Sequence, residues 1–362
     1  METLSPQVSI SLIKSSISSL LGTKKLPIDR NEWEGYFDES GHLVKSKDFI
    51  SSNILDRGLD PSVRPEAWKF LTGYYPWRSS WDERLTVDGM RRKSYDDLCR
   101  MYEKIQPLLE TEHRGFMQAR SFINSDLQRL YTRDLRGNAM VDKKQLEKIL
   151  LLSYVCNVKA EYQQGFHEML LLFQLLVEKE HEIYWLFQFF LQKTEHGCVI
   201  HIGVGKNILM LKAVIAFMDP LFAKYLDGRG SRVVQSLFPW FCLYFQRVFK
   251  SFDDVWRLWE SALQPPALII LRALPWERGA LAEVFLTGKP CRNFQVFVAY
   301  TMLQMVRDHI LREAMSGDDI LMVCNSLIDL DADELISEAC SMYEHLMKYE
   351  DKIPGELKEF FT

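Results

Sequence analysis

The sequence predicts an all-α protein that can bury one large core or two smaller ones. Of its 362 residues, 47% are hydrophobic and 26% are charged, as in ordinary globular proteins. From Asp48 onward, apolar residues mostly recur at helical spacing, and few segments alternate with a period of two. No Asn-Gly or Asp-Gly pair is flanked by convincing strands.

The expected elements follow one another along the chain. Residues 1–30 are rich in Ser and Lys, lack a sustained pattern and predict a flexible tail. Asp142-Lys-Lys-Gln145 resembles a capping box at the start of a helix. Further helices are expected at 165–178, 181–193, 207–218, 253–260, 292–314 and 333–347.

Composition argues against several function classes. A net charge of −5 disfavours a nucleic-acid-binding protein, which usually carries a basic face. The seven cysteines are scattered without a C-x-x-C pair, as expected of reduced thiols inside a cell. No apolar run approaches the ~18 residues of a membrane span. We therefore expect no transmembrane segment and a cytoplasmic protein, with a peripheral place on vesicle membranes or the cytoskeleton as the alternative.

Two segments resemble metal sites but lack ligands. His196-Gly-Cys198-Val-Ile-His201 offers three ligands, whereas a tetrahedral structural site needs a fourth. Asp329-Leu-Asp331-Ala-Asp333 begins like a calcium loop, but Glu334 replaces the required glycine and Cys340 the bidentate glutamate. We therefore expect no metal.

A first motif, Ile123-Asn-Ser-Asp126-Leu-Gln-Arg129, places three residues at helical spacing. Ile123, Asp126 and Arg129 recur every three positions and form a drifting stripe along one helix face. The guanidinium of Arg129 can spread positive charge over the oxygens of a γ-phosphate. The ordinary alternative is an amphipathic surface helix with an Asp–Arg pair worth a few tenths of a kcal/mol.

A second motif, Tyr162-Gln-Gln164-Gly165, follows 35 residues after the first. The side-chain amide of Gln164 can both donate to a water and accept from it. Together with an arginine, such an amide can complete a GTPase site in trans. The ordinary alternative is a turn at Gly165 with solvated glutamines.

Two further stretches change how these motifs are interpreted. Arg57-Gly58 leads to Arg64-Pro-Glu-Ala-Trp68, and Phe238-Pro-Trp240-Phe241 leads to Trp259-Glu260. Taken in their order along the chain, the two motifs and these two stretches resemble the TBC domain of Rab GTPase-activating proteins over roughly residues 57–315. The ordered set is far more specific than any single motif.

The resemblance implies a two-lobed, V-shaped helical domain that clamps a Rab protein. It assigns Arg129 as an arginine finger and Gln164 as a glutamine finger, with Ile123, Tyr162 and Gly165 in supporting roles. Asp126 would orient the helix of Arg129, and we hypothesise that it does so through Arg64. No cofactor is expected, because GTP and Mg²⁺ are carried by the partner GTPase; cytoskeletal or vesicle proteins are further expected partners. Trp68 and Trp240 are expected to pack in the core.

Domain boundaries follow from the same comparison. After the tail of residues 1–30, an extension covers 31–56, the TBC core covers 57–288, and C-terminal helices at 289–362 complete the second lobe. Residues 261–283 interrupt the family pattern, because removing them joins Trp259-Glu260 directly to Val284-Phe285-Leu286-Thr287-Gly288. We therefore predict an insertion there.

The chain departs from the family pattern beside each finger, and Leu130-Tyr131 follows Arg129 in place of the usual Thr-Phe type of pair. Phe166 stands where Met is usual, and His167 stands where Asn is common. Both fingers are nevertheless intact. Two functions follow: a GTPase activator that acts on a partner, or a catalytically weak scaffold that keeps the TBC surface to bind a Rab or cytoskeletal protein.

Overall fold

Helices form every regular element in the ranges that the structure describes. The structure is a computed structural model, and it describes residues 25–130, 141–156, 162–194, 200–230, 233–264 and 294–358. Within these ranges, β-type pairing is limited to two isolated bridges, Ile28 with Leu59 and Phe37 with Leu43. The predicted all-α class is confirmed. Residues 1–24 of the predicted tail lie outside the described residues.

The first eight helices lie in the part of the chain that contains both motifs. They are α1 (Arg30–Glu34), α2 (Lys47–Arg57), α3 (Arg64–Thr72), α4 (Trp81–Glu112), α5 (Arg114–Arg129), α6 (Lys143–Cys156), α7 (Phe166–Leu176) and α8 (Glu180–Lys193). Helices α3 to α8 pack on one another, with α8 contacting α3, α4, α6 and α7. They form the first of two groups of helices.

The second group follows along the chain. It consists of α9 (Ile200–Met218), α10 (Pro220–Gly228), α11 (Phe238–Cys242), α12 (Phe252–Ala262), α13 (Phe294–Arg312), α14 (Gly317–Asn325), α15 (Ala332–Met347) and α16 (Gly355–Lys358). Helix α13 contacts α9, α10, α14 and α15, and α12 packs on α15. The contacts therefore fall into the two lobes that were expected, and α2 reaches across to α12.

The helices predicted at 165–178, 181–193, 253–260, 292–314 and 333–347 are present with ends shifted by a few residues. The helix predicted at 207–218 begins earlier, at Ile200. Asp142 caps α6, because its Oδ1 accepts the backbone N–H groups of Lys144 and Gln145 at 3.0 Å. The capping box is only half formed, since the side chain of Gln145 binds Gln174 instead of returning to the cap.

An aromatic cluster fills the space where the two groups meet. The rings of Trp68 and Trp256 are 4.8 Å apart, and those of Phe190 and Trp259 stack at 4.5 Å. Trp68 and Trp259 are completely buried. Such large side chains remove much apolar surface from water, so they contribute strongly to stability. Trp68 and Trp240 are core residues, as expected.

Candidate functional site

Arg129 is the last residue of α5 and presents an exposed guanidinium. Its side chain is 68% exposed, yet Nη2 donates to Oδ1 of Asp126 at 2.7 Å and Nε donates to the Ser125 carbonyl at 3.2 Å. Ile123, one turn before Asp126, is completely buried and fixes the inner face of the helix. The backbone leaves the helical region at Leu130, so Arg129 projects from a helix end.

Asp126 is buried and joins α5 to the second motif. Its Oδ2 accepts the hydroxyl proton of Tyr162 at 2.8 Å, and the Nδ1 atom of His167 lies 3.6 Å from the same oxygen. Burial raises the pKa of the Tyr162 hydroxyl, and the hydrogen bond to Asp126 raises it further. The hydroxyl therefore keeps its proton. One carboxylate thus binds the predicted finger arginine and the predicted supporting tyrosine.

Gln164 is exposed in the turn that precedes α7, and Gly165 determines the shape of that turn. Gly165 has φ +108°, and a Cβ atom there would lie 2.1 Å from Cδ2 of Leu243. Only glycine fits both the backbone conformation and the space. Since Tyr162 is bonded to Asp126, Arg129 and Gln164 belong to two segments that this bond holds together.

A cleft of about 410 Å³ opens beside Arg129. Its lining residues are Arg129, Leu130, His167, Glu168, Leu171, Gln246, Arg247, Phe249, Lys250 and Phe252. Gln164 does not line it, so the expectation that both finger side chains converge on one groove stays a prediction.

Three cationic side chains line the cleft, and each of them is paired with a carboxylate, Arg129 with Asp126. Both oxygens of Glu168 accept from Arg247, with Nε at 3.2 Å from Oε2, and these bonds raise the pKa of the Arg247 guanidinium. Lys250 pairs with Asp329 at 2.7 Å. The positive charges that line the cleft are therefore balanced by carboxylates of the protein itself.

Arg64 does not contact Asp126, and that hypothesis is wrong. Its Nε donates to Oε1 of Glu260 at 2.6 Å, Nη1 donates to Asp253 at 2.8 Å, and Nη2 donates to the Leu59 carbonyl at 2.9 Å. Glu260 is completely buried. Arg64 therefore links α3 to α12. Its partner is the buried carboxylate of Glu260, not that of Asp126 in the first motif.

The structure describes part of the two segments that resemble metal sites, and there it shows another role. Asp331 caps α15 by accepting from the backbone of Asp333 and Glu334. His196 and Cys198 lie outside the described residues, and no side chain is described for His201.

One group in the described part brings a histidine and two carboxylates together. Asp88, His181 and Glu182 have ligand atoms within 4.8 Å of one another. However, Lys69 lies 2.8 Å from Glu182, and Lys179 lies 3.3 Å from it. Two ammonium groups in contact with the same carboxylate favour an ion-pair network over a cation site.

Sequence reasoning missed Glu168 and Arg247, and it treated His167 only as a departure from a pattern. Position 167 stands directly beside the second motif, so the sequence carried a signal for it. Arg247 is separated from Glu168 by 79 residues, and no spacing rule connects them.

The predicted insertion begins inside an observed helix. Ser261 and Ala262 belong to α12, and Ser261 and Gln264 are buried. The remaining residues of the segment, 265–283, lie outside the described residues. None of the helices in the described ranges is long and apolar enough to cross a membrane.

Comparisons with known proteins give a consistent result. A family model described as the Rab-GTPase-TBC domain matches residues 61–274. The chain is 62% identical over 361 residues to human TBC1 domain family member 21, with all of both chains covered, and 62% identical to the mouse protein of that name. Human TBC1 domain family member 17 is 26% identical over 88% of this chain and 46% of its own.

Solved structures share the fold. The crystal structure of the Ypt/Rab-GAP domain of Gyp1p superposes with a TM-score of 0.62 at 17% identity, covering 93% of this chain and 99% of the other. A Chlamydomonas flagellar RabGAP TBC domain gives a TM-score of 0.56 at 15% identity, covering 95% and 96%.

Proposed function

The chain belongs to the Rab-GTPase-TBC domain family, and we propose that it accelerates GTP hydrolysis on a Rab-family small GTPase by supplying Arg129 and Gln164. The single observation that carries the proposal is the geometry of Arg129. An exposed guanidinium stands at a helix end, beside a cleft, and a buried carboxylate orients it.

Arg129 would stabilise the transition state of phosphoryl transfer. Charge develops on oxygens around the transferred phosphoryl group, and a planar guanidinium binds two of them at once. An arginine finger is worth about 10³–10⁵ in rate, or roughly 4–7 kcal/mol of barrier at ~1.4 kcal/mol per decade. Arg129 is exposed, and its buried partner Asp126 keeps the hydrogen bond from Tyr162 when the guanidinium is removed. We therefore expect the loss of Arg129 to affect the rate far more than folding.

Gln164 would orient the attacking water in place of a residue of the GTPase. Its amide is exposed, and the turn fixed by Gly165 holds its backbone. An amide in this position can donate one hydrogen bond through its NH₂ group and accept another from the attacking water through its carbonyl oxygen.

We further propose that the chain needs no cofactor of its own. GTP and Mg²⁺ would arrive with the GTPase, and the cleft beside Arg129 would contact the protein that carries them. Vesicle or cytoskeletal proteins are proposed as additional partners, and the cytoplasm or a peripheral place on vesicle membranes or the cytoskeleton as the location.

The test is multiple-turnover GTP hydrolysis by a panel of purified Rab proteins, each with and without the chain. Wild type is expected to stimulate at least one of them, whereas Arg129→Ala and Gln164→Ala stimulate it far less. Arg100→Ala is a matched control, because Arg100 is 67% exposed and also pairs with an aspartate three residues earlier. It should behave as wild type.

The opposite outcome would identify a scaffold. If wild type, Arg129→Ala and Gln164→Ala leave hydrolysis at the intrinsic rate while a GTP-loaded Rab still binds all three, the chain keeps the TBC surface without activating hydrolysis. Binding measured by calorimetry on the same panel separates this case from a missing partner.

A further inference from the structure

We propose that His167, as a neutral imidazole protonated on Nδ1, is a positioning residue that holds Tyr162 and Asp126 in the arrangement that directs Arg129. This inference rests on the proposed function and adds a residue to it. His167 does not contact Arg129 in this arrangement and would act through the two intervening side chains. It stands at a position where the family pattern commonly has Asn.

The contacts on one ring edge define the tautomer. The Nδ1 atom of His167 lies 3.3 Å from the Tyr162 hydroxyl oxygen and 3.6 Å from Oδ2 of Asp126. The hydroxyl of Tyr162 donates its single hydrogen bond to Asp126, so its oxygen can accept one from His167. A lone pair on Nδ1 would face two oxygen lone pairs, whereas an N–H group there donates to Tyr162. The Nδ1–H form is therefore favoured.

This hydrogen bond completes a series of contacts from His167 to the finger. His167 donates to Tyr162, Tyr162 donates to one oxygen of Asp126, and the other oxygen accepts from Arg129. His167, Asp126 and Tyr162 are buried or half-buried, which strengthens each bond relative to water. Arg129 is the exposed end of the series.

Four charged groups and one tyrosine hydroxyl lie near the imidazole of His167. Asp126 and Arg129 face it from α5, Tyr162 from the turn before α7, Glu168 from its own helix, and Arg247 from the segment after α11. The Nε2 atom lies 3.9 Å from Oε1 of Glu168, whose carboxylate is already bonded to Arg247. That separation is beyond hydrogen-bonding distance, so Glu168 accepts no hydrogen bond that would favour the Nε2–H tautomer.

Protonation would disturb the arrangement. Burial is the largest influence on His167 and lowers its pKa below the ordinary value of 6.5, although Asp126 and Glu168 oppose the shift. The ring is thus neutral at pH 7 and gains charge only in acid. An imidazolium would attract Asp126 in competition with Arg129 and would repel both nearby guanidinium groups. Stimulated hydrolysis should therefore fall in acid, at pH values below the ordinary histidine pKa.

The experiment measures kcat/KM for stimulated GTP hydrolysis between pH 5.5 and 8, with the intrinsic rate subtracted at each pH. His167→Leu keeps the apolar bulk but has no donor, so kcat/KM at pH 7.5 should fall by about ten- to a hundredfold. His167→Asn can still donate to Tyr162 but cannot titrate. It should retain activity within a few-fold at pH 7.5 and lose the acid decline.

A matched control is His181→Asn, because His181 is also buried beside a carboxylate, with Nε2 at 3.4 Å from Asp88. This variant should keep the wild-type pH profile. Thermal unfolding by circular dichroism checks that each variant is folded, and Asn at position 167 remains informative if Leu prevents folding.

Three results would overturn the inference. One is a wild-type profile identical to that of His167→Asn, the second is full activity of a folded His167→Leu, and the third is a ¹⁵N NMR spectrum showing the Nε2–H tautomer. If wild type stimulates a GTPase, Arg129→Ala does not, and the His167 variants match wild type, this inference alone fails. If wild type stimulates no GTPase, the proposed function fails and the inference fails with it.

Discussion

The two proposed finger residues differ in how the fold holds them. Arg129 is oriented by its own side chain, through the bond to buried Asp126. Gln164 is oriented by its backbone alone, because the adjacent Gly165 occupies a conformation that other residues rarely adopt. Substitutions at the two positions should therefore fail for different reasons.

Arg129→Lys should lose most of the stimulation of GTP hydrolysis while the protein stays folded. An ammonium is a point charge that cannot bind two phosphoryl oxygens in the plane of a guanidinium. We expect a loss of at least ~10² of the 10³–10⁵ that such a finger supplies. Single-turnover hydrolysis on the most responsive Rab measures this loss, with Arg100→Lys as the control. Retained stimulation would show that a single positive charge suffices without the planar guanidinium.

Gly165→Ala should destabilise the protein by about 1–3 kcal/mol, because positive φ and contact with Leu243 both oppose a Cβ atom. Gly89→Ala is the matched control, since Gly89 lies inside α4 with nothing within 4 Å of the added carbon. That change should stabilise by about 0.5–1 kcal/mol. Urea unfolding measures both values. Equal effects of the two changes would mean that the turn relaxes without cost.

The residues of the site were predictable to the extent that their partners lie nearby in sequence. Spacing within one helix indicated the contact of Asp126 with Arg129, and the structure has it. Arg64 was assigned to the wrong carboxylate, because its true partner, Glu260, is 196 residues away. His167 joins the network only after a turn and a helix have packed, which no local pattern reports.

Helix α5 shows how regular geometry determines which residue is exposed. Successive residues rotate by about 100° around a helix, so positions three apart differ by about 60°. Ile123 is completely buried, Asp126 is 4% exposed, and the side chain of Arg129 is 68% exposed. The exposure increases as the stripe rotates out of the core. A helix end at Arg129 then leaves the guanidinium free to extend toward a partner.

Glu260→Ala should destabilise the protein by about 3–5 kcal/mol, because the change leaves the buried guanidinium of Arg64 without its strongest partner. Asp97→Ala removes the exposed pair with Arg100 and should cost less than ~1 kcal/mol. Urea unfolding at pH 7 compares the two. A cost below ~1 kcal/mol for Glu260→Ala would show that Asp253 or water replaces the lost carboxylate.

Helix α4 shows why some elements escaped prediction. It has 32 residues, contains Pro107, and buries only Arg84, Tyr95 and Tyr102. With so few buried positions, it lacks the apolar stripe on which helix prediction depends. Its start is encoded locally, since Ser80 and Glu83 form a capping box. Shorter helices such as α7 and α8 bury most of their residues and were easier to find.

Contacts between distant segments join the two groups of helices into one molecule. Arg257 of α12 donates to the carbonyls of Ile54 and Leu55 at the end of α2, and Arg64 of α3 donates to Glu260. The tryptophan cluster adds apolar burial at the same boundary. These partners lie about 200 residues apart, so composition and periodicity could predict helices but not the contacts between distant ones. The two groups of helices were expected only from the family resemblance.

Deleting residues 261–283 should preserve or raise thermal stability and leave stimulation of hydrolysis intact. The deletion places Val284 at the completely buried position of Ser261, where an apolar side chain fits the core face of α12. Arg257 would lose its bond to the Ser261 hydroxyl but would keep the carbonyls of α2 and the carboxylate of Asp333. Leu286 would follow at the position of Leu263, so the apolar pattern of the helix end is retained.

Scanning calorimetry and the hydrolysis assay test this deletion, with Arg129→Ala in the shortened chain as the inactive control. The entropic cost of closing a loop grows only as ~(3/2)RT ln n, where n is the number of residues in the loop. Shortening the chain therefore adds little to the free energy of unfolding through loop entropy. Any rise in the unfolding temperature would instead come from removing apolar residues such as Leu268 and Trp276, which promote association when exposed. If the shortened chain unfolds, the segment is part of the core, and the interruption of the family pattern is a native element of this protein.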